Sequence, residues 1–329
     1  MISIAEKKLT RILEGMRNKK ILVVGDLMLD KYLRGRVSRL SPEAPVPIVE
    51  IESESYHFGG AANVALNLQA LGCAPLLVGL VGNDEYGQRF TGLIRQAGLD
   101  DSGVIYTSDR PTTVKTRIIG DNQHIARVDR ERILYVNGEL EQQILKRIEK
   151  LIPQAQAVIL EDYNKGVLSP TVIHFALKKA KEHGILSAVD PKFINFMEYK
   201  QATIFKPNLK ETAQALAKSI DGESEVIAAG QELLARLQAD CVLLTRGGQG
   251  LSLFEKSGEI NHVAARTQAV ADVSGAGDTV IATMTAAVVG GADLKEAATM
   301  ANYAAGLVCQ QVGIVPVEPV ELKQVILKG

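Results

Sequence analysis

Strand-like and helix-like segments take turns along almost the whole sequence. Short apolar runs at 21–24, 76–81, 157–160, 185–189, 203–205 and 241–245 are each bounded by Gly, Asp, Pro or Asn. Runs this short, and apolar at nearly every position, read as strands buried between two layers. Helical patterns at 62–71, 85–96, 139–151, 170–183, 209–218 and 225–237 lie between them. The alternation predicts an α/β fold: a doubly wound, mostly parallel sheet flanked by helices. Such sheets bind ligands beyond the carboxyl ends of their strands, so the residues that close each run are where chemistry is to be sought.

Two segments interrupt the rhythm. Residues 31–58, with Pro42, Pro45 and Pro47, and 111–129, which alternate branched apolar with polar residues around Gly120-Asp121-Asn122, read as strands outside the main sheet. They form either a small β-sheet lid over the crevice or ordinary edge strands. From 276 to 312 the sequence is nearly free of charge and rich in Ala, Val and Gly, which predicts two helices buried on most sides. No Pro/Ser/Gly-rich linker divides the 329 residues, so one domain spanning 1–329 is expected.

Charge excludes some partners. Lys and Arg number 37 against 38 Asp and Glu, a net charge of -1, so no global field draws the protein to nucleic acid or to a membrane surface. Cys73, Cys241 and Cys309 are too far apart for a zinc knuckle or a disulfide framework, which suits a reducing cytoplasm. Residues 1–20 lack the apolar core of a signal peptide, and the uncharged stretch 297–317 is broken by Asn302, Gln310, Gln311 and Pro316.

The most informative stretch is residues 271–279, ADVSGAGDT. Gly275, Ala276 and Gly277 directly precede a helical pattern, which aims free amides and the helix dipole at one point suited to an anion. Asp278 then falls in the first helical turn, either as a carboxylate turned into the crevice or as a simple cap. Asn208, Leu209, Lys210 and Glu211 follow a strand and Pro207. Asn208 and Glu211 share one side of a helical turn, as oxygen ligands for Mg²⁺ or as a capping box. Thr245 to Gly250 is a phosphate-approaching loop or a hairpin turn. Asp26 and Asp30 after the first strand suit sugar hydroxyls, and Gly59, Gly60 and Asn63 open a helix with room for a ligand; both have turn-and-cap alternatives. No GxxxxGK[ST], GxGxxG, HExxH or GxSxG pattern occurs, which argues against P-loop, dinucleotide, zinc-protease and α/β-hydrolase sites.

FGGAANVALNLQALG and DVSGAGDTVIATMTAA resemble the two signature regions of the ribokinase-like (PfkB) carbohydrate kinases, and PNLKE resembles that family's NxxE motif. GDLMLDKY, SRLSPEAPVPIV, TTVKTRIIGDNQHIARVDRE, EDYNKGVLS, VDPK and KPNLKET are similar to the branch acting on D-glycero-β-D-manno-heptose 7-phosphate, within ADP-heptose and lipopolysaccharide core synthesis. The resemblance covers nearly the whole chain from about residue 20. It implies ATP and Mg²⁺ as cofactors, with K⁺ as an option, transfer to the anomeric hydroxyl, and a homodimer clasped through the lid. Asp278 matches the catalytic base, and Gly275, Ala276 and Gly277 the anion hole. Asn208 to Glu211 match the nucleotide and metal motif, Thr245, Gly247 and Gly250 the triphosphate loop, and Asn302 a position near the adenine. Asp26, Asp30, Gly59, Gly60 and Asn63 match sugar contacts.

A substrate that already carries a phosphate needs cations, for which Lys115, Arg117, Arg127, Lys165 and Lys192 are the candidates. Departures are Val273-Ser274 where Thr is commoner, Glu161 where Ser is usual, and an end at Gly329 without the nucleotidyltransferase domain of bifunctional relatives, so adenylylation is expected from another protein. The rivals are another sugar or nucleoside kinase of the same family and a noncatalytic sugar or nucleotide sensor.

Overall fold

The structure, a computed structural model, describes residues 4–265, 272–311 and 313–328. Ala271 and Val312, at the edges of two segments singled out above, lie outside the described residues. The chain begins with α1 (Glu6–Gly15), β1 (Lys20–Gly25), β2 (Leu27–Leu40), β3 (Pro47–Gly60), α2 (Ala61–Ala70), β4 (Ala74–Gly82), α3 (Glu85–Ala97) and β5 (Val104–Thr107). It continues through β6 (Thr113–Gly120), β7 (Gln123–Arg130), α4 (Gly138–Leu151), β8 (Ala157–Glu161), α5 (Pro170–Glu182), β9 (Leu186–Asp190), β10 (Ile204–Phe205), α6 (Leu209–Leu216) and α7 (Glu223–Leu237). It closes with β11 (Cys241–Thr245), β12 (Leu251–Glu255), β13 (Ile260–Val263), α8 (Ala276–Val289), α9 (Leu294–Cys309) and α10 (Pro319–Lys328).

The main sheet has the order β13-β12-β11-β10-β9-β8-β1-β4-β5; β12 alone runs against the others, pairing antiparallel with both β11 and β13. Period-two alternation splits each central strand between two cores. Ile21 and Val23 join α1, α2, α3, α8, α9 and α10 on one face, and Leu22 and Val24 join α4, α5, α6 and α7 on the other. Each fully buried Leu, Ile or Val contributes about 1.5–3 kcal/mol. The predicted doubly wound sheet is therefore the observed one. Two short strands and two terminal helices escaped the sequence reading: β5, β13, α1 and α10. β5 and β13 are the edge strands of the main sheet, and β12 is the second arm of the hairpin weighed for Thr245 to Gly250.

The lid is a second sheet, β3-β2-β6-β7. Pro42 and Pro45 sit in its β2–β3 loop, and Pro47 opens β3 where no ladder donor is needed. Register puts Asp30, Tyr32, His57, Lys115, Arg117, Arg127 and Asp129 on the face toward the crevice, and Leu33, Ile51, Ile118 and Val128 on the other. Among the described residues no helix is long and apolar enough to cross a membrane.

Candidate active site

Asp278 is the centre of the site. Gly275 adopts φ +77°, and a Cβ there would also come within 2.9 Å of Asn63 Nδ2, so both conformation and space call for glycine. The turn it makes starts α8 and buries Asp278 to 4% exposure. Asn63 Nδ2 donates to Asp278 Oδ2 at 2.6 Å, and Tyr163 Oη donates to Asp278 Oδ1 at 2.8 Å. Both oxygens are thereby fixed in direction. Burial pushes the carboxyl up to about 6; Asn63 and Tyr163 pull it down, nearby Asp190 pushes it up and Lys206 pulls it down. A carboxylate poised there can take a proton near neutral pH. Of the Gly275, Ala276 and Gly277 amides predicted for an anion hole, that of Ala276 turns to Val273 O at 3.3 Å. The Gly277 amide, and with it that of Asp278, which was not among the three, lies in the first turn, where α-helical amides lack a preceding carbonyl.

Beside Asp278, register pairs Glu161 at the end of β8 with Asp190 at the end of β9. One oxygen from each of these three carboxylates lies within 4.8 Å of the others. Lys206 Nζ contacts Asp190 Oδ2 at 2.8 Å. Burial, then the charges of Asp190 and Asp278, raise the Glu161 carboxyl well above its usual range. Sequence reasoning noted Glu161 only as a departure and missed Tyr163, Asp190 and Lys206. Their signal was available, since each closes or follows a predicted strand.

A pocket of about 300 Å³ opens on the other side of the α8 N-terminus. Asn208, Thr245, Gly247, Gly250, Ala276, Gly277 and Asn302 line it, together with Cys309. Pairing of Asn208 with Thr245 in an isolated bridge sets the two loops side by side. Leu209 instead packs against the core and Lys210 is exposed; neither lines the pocket. Asn208 and Glu211 form a complete capping box: Asn208 Oδ1 accepts from the Glu211 amide and Glu211 Oε2 from the Asn208 amide. Glu211 Oε1 accepts from Lys192 Nζ at 2.5 Å. The cap, weighed as the alternative for this spacing, is thus fully made.

On the lid side, Asp30 and Arg117 form an ion pair on the crevice face, with the guanidinium 5.2 Å over the Tyr32 ring. Gly59 keeps the approach to Asp30 open: a Cβ there would lie 2.9 Å from Asp30 Oδ2. Lys165 contacts Glu131 at 2.9 Å, Lys115 contacts Asp129 at 3.4 Å, and Arg127 contacts Asp129 at 3.0 Å. Three of the five predicted cations, Lys115, Arg127 and Lys165, therefore share one lid-and-loop cluster whose carboxylates, Asp129 and Glu131, went unread, while Arg117 is held by Asp30. Lys192 stands apart beside the capping box.

Asp26 and Asn63 do not face the crevice in the way the sequence reading placed them. Asp26 is 1% exposed and accepts the amides of Tyr163 and Lys165 on Oδ2 and of Val167 on Oδ1. It holds the loop that carries Tyr163 rather than offering oxygens to a hydroxyl. Gly60, at φ +58°, lets α2 start tight against the Asp26 carbonyl. Asn63 spends its amide on Asp278.

A model of the pfkB family carbohydrate kinases matches residues 18–320. The chain belongs to that family and is an ATP-dependent sugar kinase by class. Its curated relatives include the bifunctional protein HldE of Paramagnetospirillum magneticum, 42% identical over 91% of this chain and 62% of that protein. The one from Geotalea uraniireducens is 38% identical over 96% of this chain and 64% of that protein. The chain spans a little under two thirds of the length of these relatives. Among solved structures it is similar to Arabidopsis thaliana ribokinase complexed with ribose and ATP: TM-score 0.75, 19% identity, 95% of this chain and 99% of that one. Escherichia coli phosphofructokinase-2 in complex with fructose-6-phosphate gives a TM-score of 0.76 at 16% identity, over 94% of this chain and 98% of that one. The structural likenesses establish the ribokinase-like fold; in this chain the lid is a mixed sheet, antiparallel at β2–β3 and β6–β7 and parallel at β2–β6.

Proposed function

We propose that this chain transfers the γ-phosphoryl group of ATP to the anomeric hydroxyl of D-glycero-β-D-manno-heptose 7-phosphate, giving the 1,7-bisphosphate, in ADP-heptose and lipopolysaccharide core synthesis. The observation that carries the reading is Asp278, clamped at a helix N-terminus between the pocket of about 300 Å³ and the lid face that carries Arg117. The relatives named bifunctional protein HldE support the choice of sugar.

Asp278 would accept the hydroxyl proton as that oxygen attacks phosphorus, with the Gly277 and Asp278 amides turned toward the charge on the transferring group. Asn208, Thr245, Gly247, Gly250 and Asn302 would line the nucleotide, and Asp30 and Gly59 the sugar. Lys115, Arg117, Arg127 and Lys165 would receive the 7-phosphate, exchanging their carboxylate partners for it. Mg²⁺, when bound, supplies charge neutralisation on phosphate oxygens. Closure of the lid sheet would exclude water from the transfer.

In this reading residues 1–329 form one kinase domain, working in the cytoplasm as a homodimer. The outer lid face supports the dimer, with Ile51 48% and Val128 56% exposed beside Leu33 and Ile118. Two charges there, Ile51→Asp with Val128→Asp, are expected to shift sedimentation from dimer to monomer.

An ADP-release assay across heptose 7-phosphate, free heptose, fructose 6-phosphate and ribose tests the substrate. Turnover of ribose or fructose 6-phosphate without turnover of the heptose phosphate would overturn the choice of sugar. Exchanging K⁺ for Na⁺ in that assay tests the monovalent-cation option. Arg117→Ala is expected to raise KM for the phosphorylated sugar about tenfold or more, the worth of a charge-assisted bond, while KM for ATP holds within about twofold. Equal effects on both would remove Arg117 from the sugar side. The pH profile carries a further expectation. An ionised Asp278 is required, so the rate should fall about tenfold per pH unit below an acid limb near 6. A limb near 4 would mean that an unperturbed carboxylate acts instead.

A further inference from the structure

The geometry points to a divalent-cation site on Glu161 and Asp190, separate from the Asn208/Glu211 pair that the sequence motif marks for the metal. Paired in register on adjacent parallel strands, the two side chains leave the sheet on the same face and at the same height. Glu161 is fully buried, and neither of its carboxyl oxygens has a hydrogen-bond partner; Asp190 is 4% exposed, and its Oδ1 has none either. Buried carboxyl oxygens without donors are costly and rare in folded proteins, and here they belong to neighbouring residues aimed at one spot.

The spacing suits a hard cation. Oxygens of Glu161, Asp190 and Asp278 all lie within 4.8 Å of one another, which matches oxygens gathered around one ion at about 2.1–2.5 Å. Charge suits it too. Once ionised, as a bound cation requires, the three carboxylates facing the Lys206 ammonium leave two negative charges, and the nearby Lys192 ammonium is engaged by Glu211. Among common ions Mg²⁺ and Mn²⁺ fit all-oxygen donors of this kind, completing their shells with water.

Asp278 flanks the site rather than joining it, because both its oxygens already accept from Asn63 and Tyr163. That leaves it available as the base. The oxygens of Asn208 and Glu211, by contrast, are consumed by the capping box and by Lys192.

The role of this site rests on the kinase reading above, so its test measures metal binding apart from turnover. Nucleotide-free protein is titrated with Mn²⁺ and the free ion is followed by electron paramagnetic resonance. Wild-type protein is expected to take up Mn²⁺. Glu161→Gln and Glu161→Ser should weaken uptake by about tenfold or more while unfolding cooperatively as the wild type does. In the same titration Glu211→Gln should stay within about twofold of wild type. Mn²⁺ should raise the unfolding temperature of wild type and of Glu211→Gln, and leave that of the Glu161 variants unmoved. The assignment is overturned if wild type takes up no Mn²⁺, if folded Glu161 variants bind it unchanged, or if Glu211→Gln is the variant that loses it. Uptake that depends on Glu161 in a protein that turns over none of the sugars would sink the kinase reading and leave the metal site standing; the reverse pattern would sink the site alone.

Discussion

Asp278→Asn is expected to lower phosphoryl transfer by about 10²–10⁴, the range of a general base, with the cooperative unfolding transition retained. An amide cannot accept the hydroxyl proton. It also offers one acceptor where the carboxylate offers two, so Asn63 Nδ2 or the Tyr163 hydroxyl must face an N–H group in a buried site. Both effects act in the same direction. Single-turnover ADP release with saturating nucleotide and sugar, alongside a thermal melt, checks the result. A loss of only a few-fold with the fold intact would falsify the assignment of Asp278 as the base.

The second large effect is on stability. Asp26→Ala removes the acceptor for the amides of Tyr163, Lys165 and Val167, and each stranded amide costs about 1–3 kcal/mol. Relief of the carboxylate's own burial offsets part of that, so a net loss of about 3–5 kcal/mol is expected in chemical denaturation. Transfer should fall as well, because the loop positions the Tyr163 hydroxyl on Asp278. A variant as stable as wild type would show that the loop is held by other contacts. One such contact is Arg110, which donates to the carbonyls of Lys165 and Leu134.

Much of this architecture was legible from periodicity alone. Strands apolar at successive positions can only sit between two layers, and the runs at 21–24, 76–81, 157–160 and 241–244 do so. The segment after Asp278, whose charges are confined to the start of α9, forms α8 and α9, with α8 buried along most of its length. The Gly275–Gly277 turn also stood out, because two glycines flanking a single alanine before a helix leave its first amides open. Short edge strands such as β5 carried too few residues for a period to register.

The partners of the polar groups were a different matter. Asp26 and Asp30 sit four residues apart in one motif and looked alike. Only the fold separates them, burying Asp26 under a loop some 140 residues further on and setting Asp30 on a lid strand against Arg117. Asn63 read as a sugar contact until α8 brought Asp278 to it from 215 positions away. The sequence by itself determined the layers, the strand ends and the helix start at Asp278, because those follow from local spacing and backbone freedom. Tertiary structure alone decided which carboxylates are satisfied and which, like Glu161, are left without a donor, because hydrogen bonding and burial depend on segments that meet only after folding.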